Sequence, residues 1–330
     1  MKTTHLCFIG AGFHASTNIY PSVVEAGAQI QAIATRSMER SEAALLRFGS
    51  NGQAYDNAQL MLQQEICDGV VVVAQPVDQT ALVLECIRAG KNVYVDKPLG
   101  WNAAEAATVA EAAEQAGVVV MVGFMKRYAP IYMKLKELID RGSLGKVRSF
   151  QMKFAVDSTP FCKDEEQFMK LAAIHMVDLM RYLFGEAIRV TGTTVKDGEH
   201  INQSISLVFE NNVVGSAYFT GMSAWSRESE SVLVTFDNGF ASAEEINTLT
   251  VHQSRSSTSL PWKSLEEQDT VYTPSGSPMS GAYRDLYLRG FVGEMAHFIA
   301  CCQNQTVPHS SAKDNIATMA LCDSILSSLK

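Results

Sequence analysis

A short glycine-rich stretch near the N-terminus has the residue types and spacing of a phosphate-binding turn. The apolar run 6–9 predicts a buried strand, and Gly10, Gly12 and Ala15 follow it before a helix-like segment. A strand that turns tightly into a helix leaves backbone N–H groups at the helix start, and these groups attract phosphate together with the helix dipole. Gly10 permits the sharp turn, Gly12 lets a pyrophosphate approach the backbone, and the small Ala15 keeps helix and strand close. The pattern predicts dinucleotide binding; a glycine-rich β-turn without a ligand is the alternative interpretation.

The residues after the second predicted strand bear on which dinucleotide binds. At this position an Asp or Glu would hydrogen-bond the ribose 2′-hydroxyl of NAD. The sequence has Thr35, Arg36 and Ser37 instead, so no carboxylate is present to repel a 2′-phosphate. Arg36 can pair with that phosphate and the two hydroxyls can hydrogen-bond it, which favours NADP over NAD. Ser37 can also serve as the N-cap of the next helix, and the two roles are compatible.

The tripeptide Asp96-Lys97-Pro98 follows a later predicted strand and offers a group for proton transfer. Pro98 fixes the backbone and aims the preceding side chain. We expect Lys97 to lie near the nicotinamide, partly desolvated and beside a cofactor that is cationic during oxidation. Both effects lower the pKa of its ammonium group and suit it to proton transfer. The alternative is a surface turn with a solvated lysine, which spacing alone does not exclude.

The elements that would position these groups alternate between strand and helix through about residue 123. The alternation indicates an α/β fold with a doubly wound parallel sheet, and the apolar run 70–74 fits a strand covered on both faces. Ligands of such sheets lie at the carboxyl ends of the strands, where Gly10, Thr35, Gln75 and Lys97 fall. The predicted strands are 6–9, 29–35, 53–55, 70–74, 92–95 and 118–122, and the predicted helices are 15–26 with an interruption at Pro21, 41–48, 58–64, 78–89 and 103–115.

The second half of the chain predicts a different, α+β, organisation. A boundary near Gly123 gives a dinucleotide-binding domain over 1–123 and a second domain over 124–330. Consecutive strands after one helix indicate an open, largely antiparallel sheet, with hairpin turns at 211–212 and 237–239. The Ser-, Pro- and Gly-rich stretch 254–281 is expected to be a long surface excursion. The predicted strands are 147–154, 188–194, 201–209, 213–220, 229–237 and 239–244, the predicted helices are 130–141, 165–184, 282–303 and 312–330, and 157–164 is expected to be a loop.

Composition restricts the class of protein and its compartment. The net charge of −8 is spread along the 330 residues, which argues against a nucleic-acid or anionic-membrane partner. No apolar run reaches the roughly 18 residues of a membrane span, and the N-terminus leads into a strand rather than a signal peptide. The seven cysteines mostly lie in apolar segments and include no Cys-x-x-Cys. We therefore expect a cytoplasmic protein with reduced core cysteines and no metal site.

Several of these motifs together make the chain resemble the Gfo/Idh/MocA oxidoreductases, which include glucose–fructose oxidoreductase and inositol dehydrogenase. The resemblance covers nearly the whole chain. The chain departs from the usual family pattern at Asp96, where Glu is usual, at 75–80, where Thr-Pro-Asn-x-x-His is common, and at Leu171, where many sugar and inositol dehydrogenases have Asp. The motifs that carry the resemblance are 8–15, 73–76, 89–93, 95–99, 122–130, 142–147 and 175–179.

The resemblance implies an N-terminal Rossmann domain and a C-terminal α+β domain that binds substrate. The open face of the second sheet would form a subunit interface, hence a homodimer or homotetramer. Lys97 and His175 would act as catalytic residues on a substrate hydroxyl, and because they come from different domains they are expected to converge in the cleft between them. The expected substrate-binding residues are Lys97, Arg127, His175 and Asp178. The expected cofactor-binding residues are Gly10, Gly12, Phe13, His14, Ala15, Thr35, Arg36, Ser37, Ala74, Gln75, Pro76, Asp96 and Lys97.

The leading hypothesis is an NAD(P)-dependent oxidoreductase that moves hydride between the nicotinamide and a sugar, cyclitol or related hydroxyl or carbonyl compound. A non-catalytic dinucleotide-binding regulator of the same fold is the alternative. Leu171 favours the regulator, whereas Lys97 and His175 favour the enzyme. An enzyme that acts on a non-sugar carbonyl or imine is a third hypothesis.

Overall fold

A computed structural model describes residues 3–197, 200–254, 269–276, 279 and 285–330. The chain divides into two compact units, one of Met1–Tyr128 with Gly290–Ala320 and the other of Ala129–Arg289 with Leu321–Lys330. These units are not the continuous ranges 1–123 and 124–330, because residues late in the chain pair with the N-terminal sheet. The backbone N–H of Val122, for example, donates to the carbonyl of Ser310 at 2.8 Å. The predicted ranges stay a proposal for the functional domains.

The first unit contains the doubly wound parallel sheet that the sequence predicts. Its strand order is β3-β2-β1-β4-β5-β6, and every neighbouring pair is parallel. All four residues of β4 are buried, as expected for a strand covered on both faces. β4 ends before the predicted Ala74, because the chain there turns toward Pro76, the first residue of the next helix. The strands are β1 His5–Ile9, β2 Gln29–Ala34, β3 Gln53–Tyr55, β4 Gly69–Val72, β5 Val93–Asp96 and β6 Val120–Gly123.

Helices follow the strands of this sheet at nearly the predicted positions. The predicted interruption at Pro21 appears as a change of helix type, with a π-helical turn over Ala15–Ile19 before α1. Proline has no backbone N–H to donate, which favours a change in hydrogen-bond spacing at this point. The helices are α1 Tyr20–Glu25, α2 Met38–Arg47, α3 Ala58–Gln64, α4 Pro76–Arg88 and α5 Ala103–Ala116, and a 3₁₀ turn Met125–Tyr128 follows β6.

The second unit contains the predicted open and largely antiparallel sheet. Its order is β14-β13-β12-β11-β7-β10-β9-β8, and among the described strands of this sheet only β7 and β10 pair in parallel. β13 lies outside the predicted strands. Within the predicted surface excursion 254–281, residues 269–272 form the exposed strand β14, and residues 255–268, 277–278 and 280–281 lie outside the described residues. The strands are β7 Val147–Ala155, β8 Ala187–Asp197, β9 His200–Phe209, β10 Val214–Thr220, β11 Ser229–Phe236, β12 Gly239–Glu244, β13 Thr248–Gln253 and β14 Asp269–Tyr272.

The helices of the second half depart from prediction in two places. The helical segment 165–184 includes a π-helical turn, Phe168–Ala173, between α7 and α8. The predicted helix 282–303 is divided at Gly290, whose φ of +96° does not fit a helix; residues 282–284 lie outside the described residues. The helices are α6 Pro130–Arg141, α7 Glu165–Gln167, α8 Ile174–Phe184, α9 Asp285–Leu288, α10 Phe291–Asn304 and α11 Ala312–Ser328.

Membrane-spanning character and the state of the cysteines were also predicted from the sequence. In the ranges given above, no helix has both the length and the apolar character needed to cross a membrane. The seven cysteines are free thiols, and all but Cys67 are buried. Their burial agrees with the expected place of cysteines in the cores.

Candidate active site

Gly10 forms the sharp turn between β1 and the first helical segment. Its φ is +101°, which favours glycine, and a Cβ at this position would overlap the carbonyl oxygen of Val73. Its N–H donates to the carbonyl of Ala34 at the end of β2 (2.9 Å), and its carbonyl accepts from the hydroxyl of Tyr20 (3.0 Å). The turn therefore lies close to the ends of β2 and β4, the two strands that flank β1.

Gly12 lies on the open side of this turn. Nothing is found within 4 Å of the position that its Cβ would take, and its carbonyl accepts the N–H of Ser16 at 2.9 Å as the helical segment begins. Ala15 is fully buried between helix and sheet, whereas Phe13 is 85% exposed. The turn thus has open space in front of the N-terminus of a helical segment, an arrangement that fits the pyrophosphate of a dinucleotide.

His14 links the glycine turn to the end of β5. Asn18 Nδ2 donates to His14 Nδ1 (3.0 Å), and His14 Nε2 lies 3.6 Å from Asp96 Oδ1. Burial alone would raise the pKa of Asp96, but His14 and Lys97 outweigh it and hold that pKa below its ordinary value. Asp96 is therefore a carboxylate throughout the neutral pH range.

The low pKa of Asp96 gives a pH dependence of stability. Because the native pKa lies below the ordinary value of 3.8, the charge stabilises the fold fully above that value and less as the pH falls through the native pKa. We expect Asp96→Asn to melt at a lower temperature than the wild type at about pH 7, and this gap to narrow below about pH 4. Thermal denaturation of both proteins across this range measures the gap. A gap that stays constant would show that the Asp96 charge does not stabilise the fold.

Lys97 lies at the end of β5, partly buried, in the loop that leads to α5. Its peptide bond with Pro98 is cis. The buried side chain of Asn315 donates to the carbonyl of Leu99 at 3.0 Å. The buried amide of Gln79 also bonds to this loop, although sequence reasoning did not select Gln79 as a site residue. The available signal was a polar residue on the face of α4 that is otherwise apolar, since buried polar groups need partners.

The three residues expected at the adenosine ribose differ in their environments. Ser37 is the N-cap residue of α2, as the alternative interpretation expected, but its side chain makes no capping hydrogen bond. The hydroxyl of Thr35 donates to the carbonyl of Ser37 (2.8 Å) and accepts from the Ser37 N–H (3.1 Å), so it holds the turn. Arg36 is exposed. The Thr35 hydroxyl is therefore used within the turn, whereas the Arg36 side chain faces solvent.

The segment between β4 and α4 lies at the same edge of the sheet as the glycine turn and contains three of the expected cofactor-binding positions, Ala74, Gln75 and Pro76. Gln75 is exposed and precedes α4 as its N-cap residue, without a capping hydrogen bond from its side chain. Pro76 is the first residue of α4, a position at which a missing N–H has no cost to the helix. The N–H of Ala74 donates to the side-chain oxygen of Gln79 at 3.4 Å.

His175 belongs to the second unit and lies in the first turn of α8, after the π-helical turn. Between residues 168 and 181, Leu171 and His175 are the two residues that are not buried. Asp178, which α-helical spacing places on the same face, is buried. Of the three residues, Leu171 and His175 are therefore the two that are partly exposed. π-Helical turns occur frequently at functional sites.

Arg127, another expected site residue, is buried and bonded to late residues of the first unit. Its side chain is 5% exposed, and its guanidinium donates to the carbonyl of His309 (2.7 Å) and to Asp314 Oδ2 (2.6 Å). These bonds connect the 3₁₀ turn after β6 to the start of α11.

The structure brings the expected cofactor residues together at one edge of the first sheet, with His14 and Asp96 in direct contact. His175 and Asp178 stand on a helix of the second unit. In the part of the chain that is described, no group of three or more His, Cys, Asp or Glu side chains is arranged to hold a metal ion. The residues expected from the sequence to bind the cofactor, all of which end or follow strands of this sheet, are Gly10, Gly12, Phe13, His14, Ala15, Thr35, Arg36, Ser37, Ala74, Gln75, Pro76, Asp96 and Lys97.

Comparison with known proteins agrees with this arrangement. Residues 4–124 match the family model "Oxidoreductase family, NAD-binding Rossmann fold", and residues 132–242 match the "GFO/IDH/MocA C-terminal domain". Oxidoreductase P35 of Formosa agariphila is 30% identical over 172 residues, 48% of this chain and 54% of that protein, so this match spans about half of the relative. D-apiose dehydrogenase of Paraburkholderia graminis is 26% identical over 332 residues, 96% of this chain and 84% of that protein.

A solved structure shows the same fold over nearly the full length. The structure of levoglucosan dehydrogenase in complex with NADH and levoglucosan has a TM-score of 0.85 and 16% identity, and the match covers 99% of this chain and 97% of that one. Together, the two family models and the sheet topology show that the chain belongs to the Gfo/Idh/MocA family of oxidoreductases.

Proposed function

We propose that the protein is an NAD(P)-dependent dehydrogenase that interconverts a hydroxyl and a carbonyl group of a sugar, cyclitol or related small molecule. The observation that carries this proposal is the position of Lys97 at the end of β5, in the same sheet edge as the open turn at Gly12. A proton-transfer group beside a dinucleotide-binding turn is what oxidation of a hydroxyl requires. The relatives named for D-apiose and levoglucosan support a sugar-like substrate.

In the proposed mechanism the protein positions the reactants and moves the proton. When bound, the nicotinamide supplies the hydride acceptor for oxidation or the hydride donor for reduction. The amino group of Lys97 hydrogen-bonds the substrate hydroxyl and helps to remove its proton, and His175 is proposed as a second acid/base or polarising group. Asp96 precedes Lys97 and faces His14 at 3.6 Å, and Arg127 and Asp178 are the other residues proposed to bind the substrate.

The finer proposal is that the enzyme prefers NADP(H). Arg36 and Ser37 support it, because no carboxylate stands at the end of β2 and the Ser37 side chain is not used for capping. A charge-assisted contact to the 2′-phosphate would contribute about 1.5–3 kcal/mol. Arg36→Ala should then weaken NADP binding by about tenfold or more and leave NAD binding nearly unchanged.

Calorimetric or fluorescence titration with both cofactors measures this preference. Arg88→Ala removes an exposed charge from the last turn of α4, away from the end of β2, and is the matched control. Equal losses for NAD and NADP in the Arg36 variant would show that Arg36 does not bind the 2′-phosphate.

A non-catalytic regulator that binds the dinucleotide remains the second candidate. The observation that favours it is Leu171, an apolar residue beside His175 at the accessible surface of the helix. The enzyme is favoured by the presence of both Lys97 and His175 and by relatives that are named as dehydrogenases. An enzyme acting on a non-sugar carbonyl or imine is tested by the same assays with a wider substrate panel.

We also propose that the protein works as a homodimer or homotetramer in the cytoplasm, without a nucleic-acid or membrane partner. The family resemblance supports the assembly, and the net charge of −8 supports the absence of polyanionic partners. Light scattering in solution tests the assembly directly.

A further inference from the structure

One buried side chain outside the expected site contacts the backbone on both sides of Lys97. Gln79 lies in the first turn of α4 and is 1% exposed. Its Nε2 donates to the carbonyl of Asp96 (2.5 Å) and to the carbonyl of Pro98 (2.8 Å), the residues immediately before and after Lys97. Its Oε1 accepts the N–H of Ala74 at 3.4 Å. A single amide group therefore connects the end of β4 to the backbone that carries Lys97.

The chemistry of these partners explains why the residue is an amide. Carbonyl oxygens only accept hydrogen bonds, so the atom that faces both of them must be a nitrogen with two hydrogens. The oxygen of the same group is then the atom that faces the N–H of Ala74. Among the side chains, only Asn and Gln combine two donors on one atom with an acceptor in the same plane, and Gln has the longer reach.

The position of Gln79 in its helix indicates that this arrangement is not a by-product of packing. It shares the buried face of α4 with Val83, Cys86 and Ile87, at helical spacing. An apolar residue would satisfy that face, and a polar group buried without partners would destabilise the fold. Gln79 instead uses its donors and its acceptor on the loop of Lys97 and the end of β4.

We infer that Gln79 is a positioning residue, which fixes the backbone on either side of Lys97 so that the lysine amino group is held at the reacting hydroxyl. The inference rests on the proposed function, since it assigns Gln79 to the step in which Lys97 moves the proton. Gln79 touches neither the substrate nor the cofactor in this role; it acts through the loop. Small displacements of a catalytic group lower the rate of chemistry more than they lower affinity.

Two substitutions separate this role from general stabilisation. Gln79→Met keeps the length of the side chain and suits the apolar face, but it has no donor for the two carbonyls. Gln79→Glu keeps the shape and the acceptor for Ala74; its ionised form has no donor, whereas its protonated form has one. Gln115→Met and Gln115→Glu, at an exposed position in the last turn of α5, are the matched controls.

We expect Gln79→Met to lower kcat by about 10–10²-fold while KM and dinucleotide affinity change little. In Gln79→Glu, turnover relative to the wild type should rise as the pH is lowered, because the protonated carboxyl donates one of the missing bonds. The turnover of Gln79→Met relative to the wild type should not change with pH. Added to Lys97→Met, the Gln79→Met change should cause no further loss, since both act on the same step. The Gln115 variants should behave as the wild type does.

Hydrogen exchange of the protein without substrate gives a readout that does not depend on activity. Peptides that cover residues 93–101 should exchange faster in Gln79→Met than in the wild type, while the rest of the first unit stays protected. A wild-type kcat in Gln79→Met, additive losses in the double variant, or unchanged exchange at 93–101 would each overturn the inference. If Lys97→Met itself keeps normal turnover, the proposed function fails at that residue, and the exchange data still decide whether Gln79 holds the loop.

Discussion

Replacement of Lys97 by Met is expected to lower turnover by about 10²–10⁴-fold, the usual cost of losing a positioned acid or base. The hydroxyl proton must leave as hydride is transferred. Leu171 occupies the position at which many sugar and inositol dehydrogenases of the family that the chain resembles have an Asp. The demand for a proton-transfer group therefore falls on Lys97 and His175. Dinucleotide affinity should change far less, because the glycine turn is a separate part of the first unit.

His175→Ala is expected to cause a loss of about the same size, 10²–10⁴-fold, for the same reason. Steady-state turnover and cofactor titration should be measured together for both variants. Lys313→Met and His200→Ala are matched controls, since both residues are exposed and neither belongs to the proposed site. Near-normal turnover in both the Lys97 and the His175 variants would overturn the catalytic assignment.

The second large effect is expected at Gly12, where Val should abolish measurable dinucleotide binding in a folded protein. A branched side chain at this position would occupy the space in front of the helical segment where the pyrophosphate is expected to bind. No protein atom lies within 4 Å of the position of the added Cβ, so the substitution should leave the fold intact. Gly10 offers no such test, because its φ of +101° and the nearby Val73 carbonyl would make a substitution distort the turn itself.

Calorimetric titration with both cofactors, together with thermal melting and circular dichroism, measures this prediction. Gly12→Ala is the graded control, since its smaller side chain should weaken binding less than Val does. A folded Gly12→Val protein that still binds the cofactor with micromolar affinity would show that the turn is not the phosphate site.

Most of the first unit could be predicted from sequence because parallel strands and their ends have strong local patterns. β3 and α3 have the predicted bounds, and β4 is the buried apolar strand expected from its continuous run. The open sheet of the second unit was predicted in type but not in extent. All four residues of β14 are exposed, so no alternation of apolar and polar residues marks this edge strand.

Long-range contacts account for most of what local patterns did not predict. Gly290–Ala320 joins the N-terminal part of the first unit through contacts between residues far apart in sequence, such as the hydrogen bond from Asn315 to the carbonyl of Leu99. Gln79 is similar, because only the folded chain brings its amide to the carbonyls of Asp96 and Pro98.

The predicted site residues illustrate the same limit at the scale of single groups. Residue type identified two hydroxyls beside Arg36, but only the structure shows that the hydroxyl of Thr35 is used within the turn. Arg127 has the chemistry of a substrate ligand, yet its guanidinium is bonded to Asp314 and to the carbonyl of His309. Which polar groups are used internally depends on neighbours that the local sequence does not specify.

The most direct test of the account is a spectroscopic assay for reduced nicotinamide, in which the wild-type protein is incubated with NAD or NADP and a panel of sugars, cyclitols and sugar acids. The account predicts that at least one compound is oxidised, that a carbon-bound deuterium of that compound is transferred to the nicotinamide, and that Lys97→Met suppresses the reaction. A protein that binds the dinucleotide tightly but produces no reduced nicotinamide with any compound, and oxidises none of the reduced cofactor with the matching carbonyl compounds, would contradict the account and favour the non-catalytic regulator or an enzyme for a non-sugar substrate.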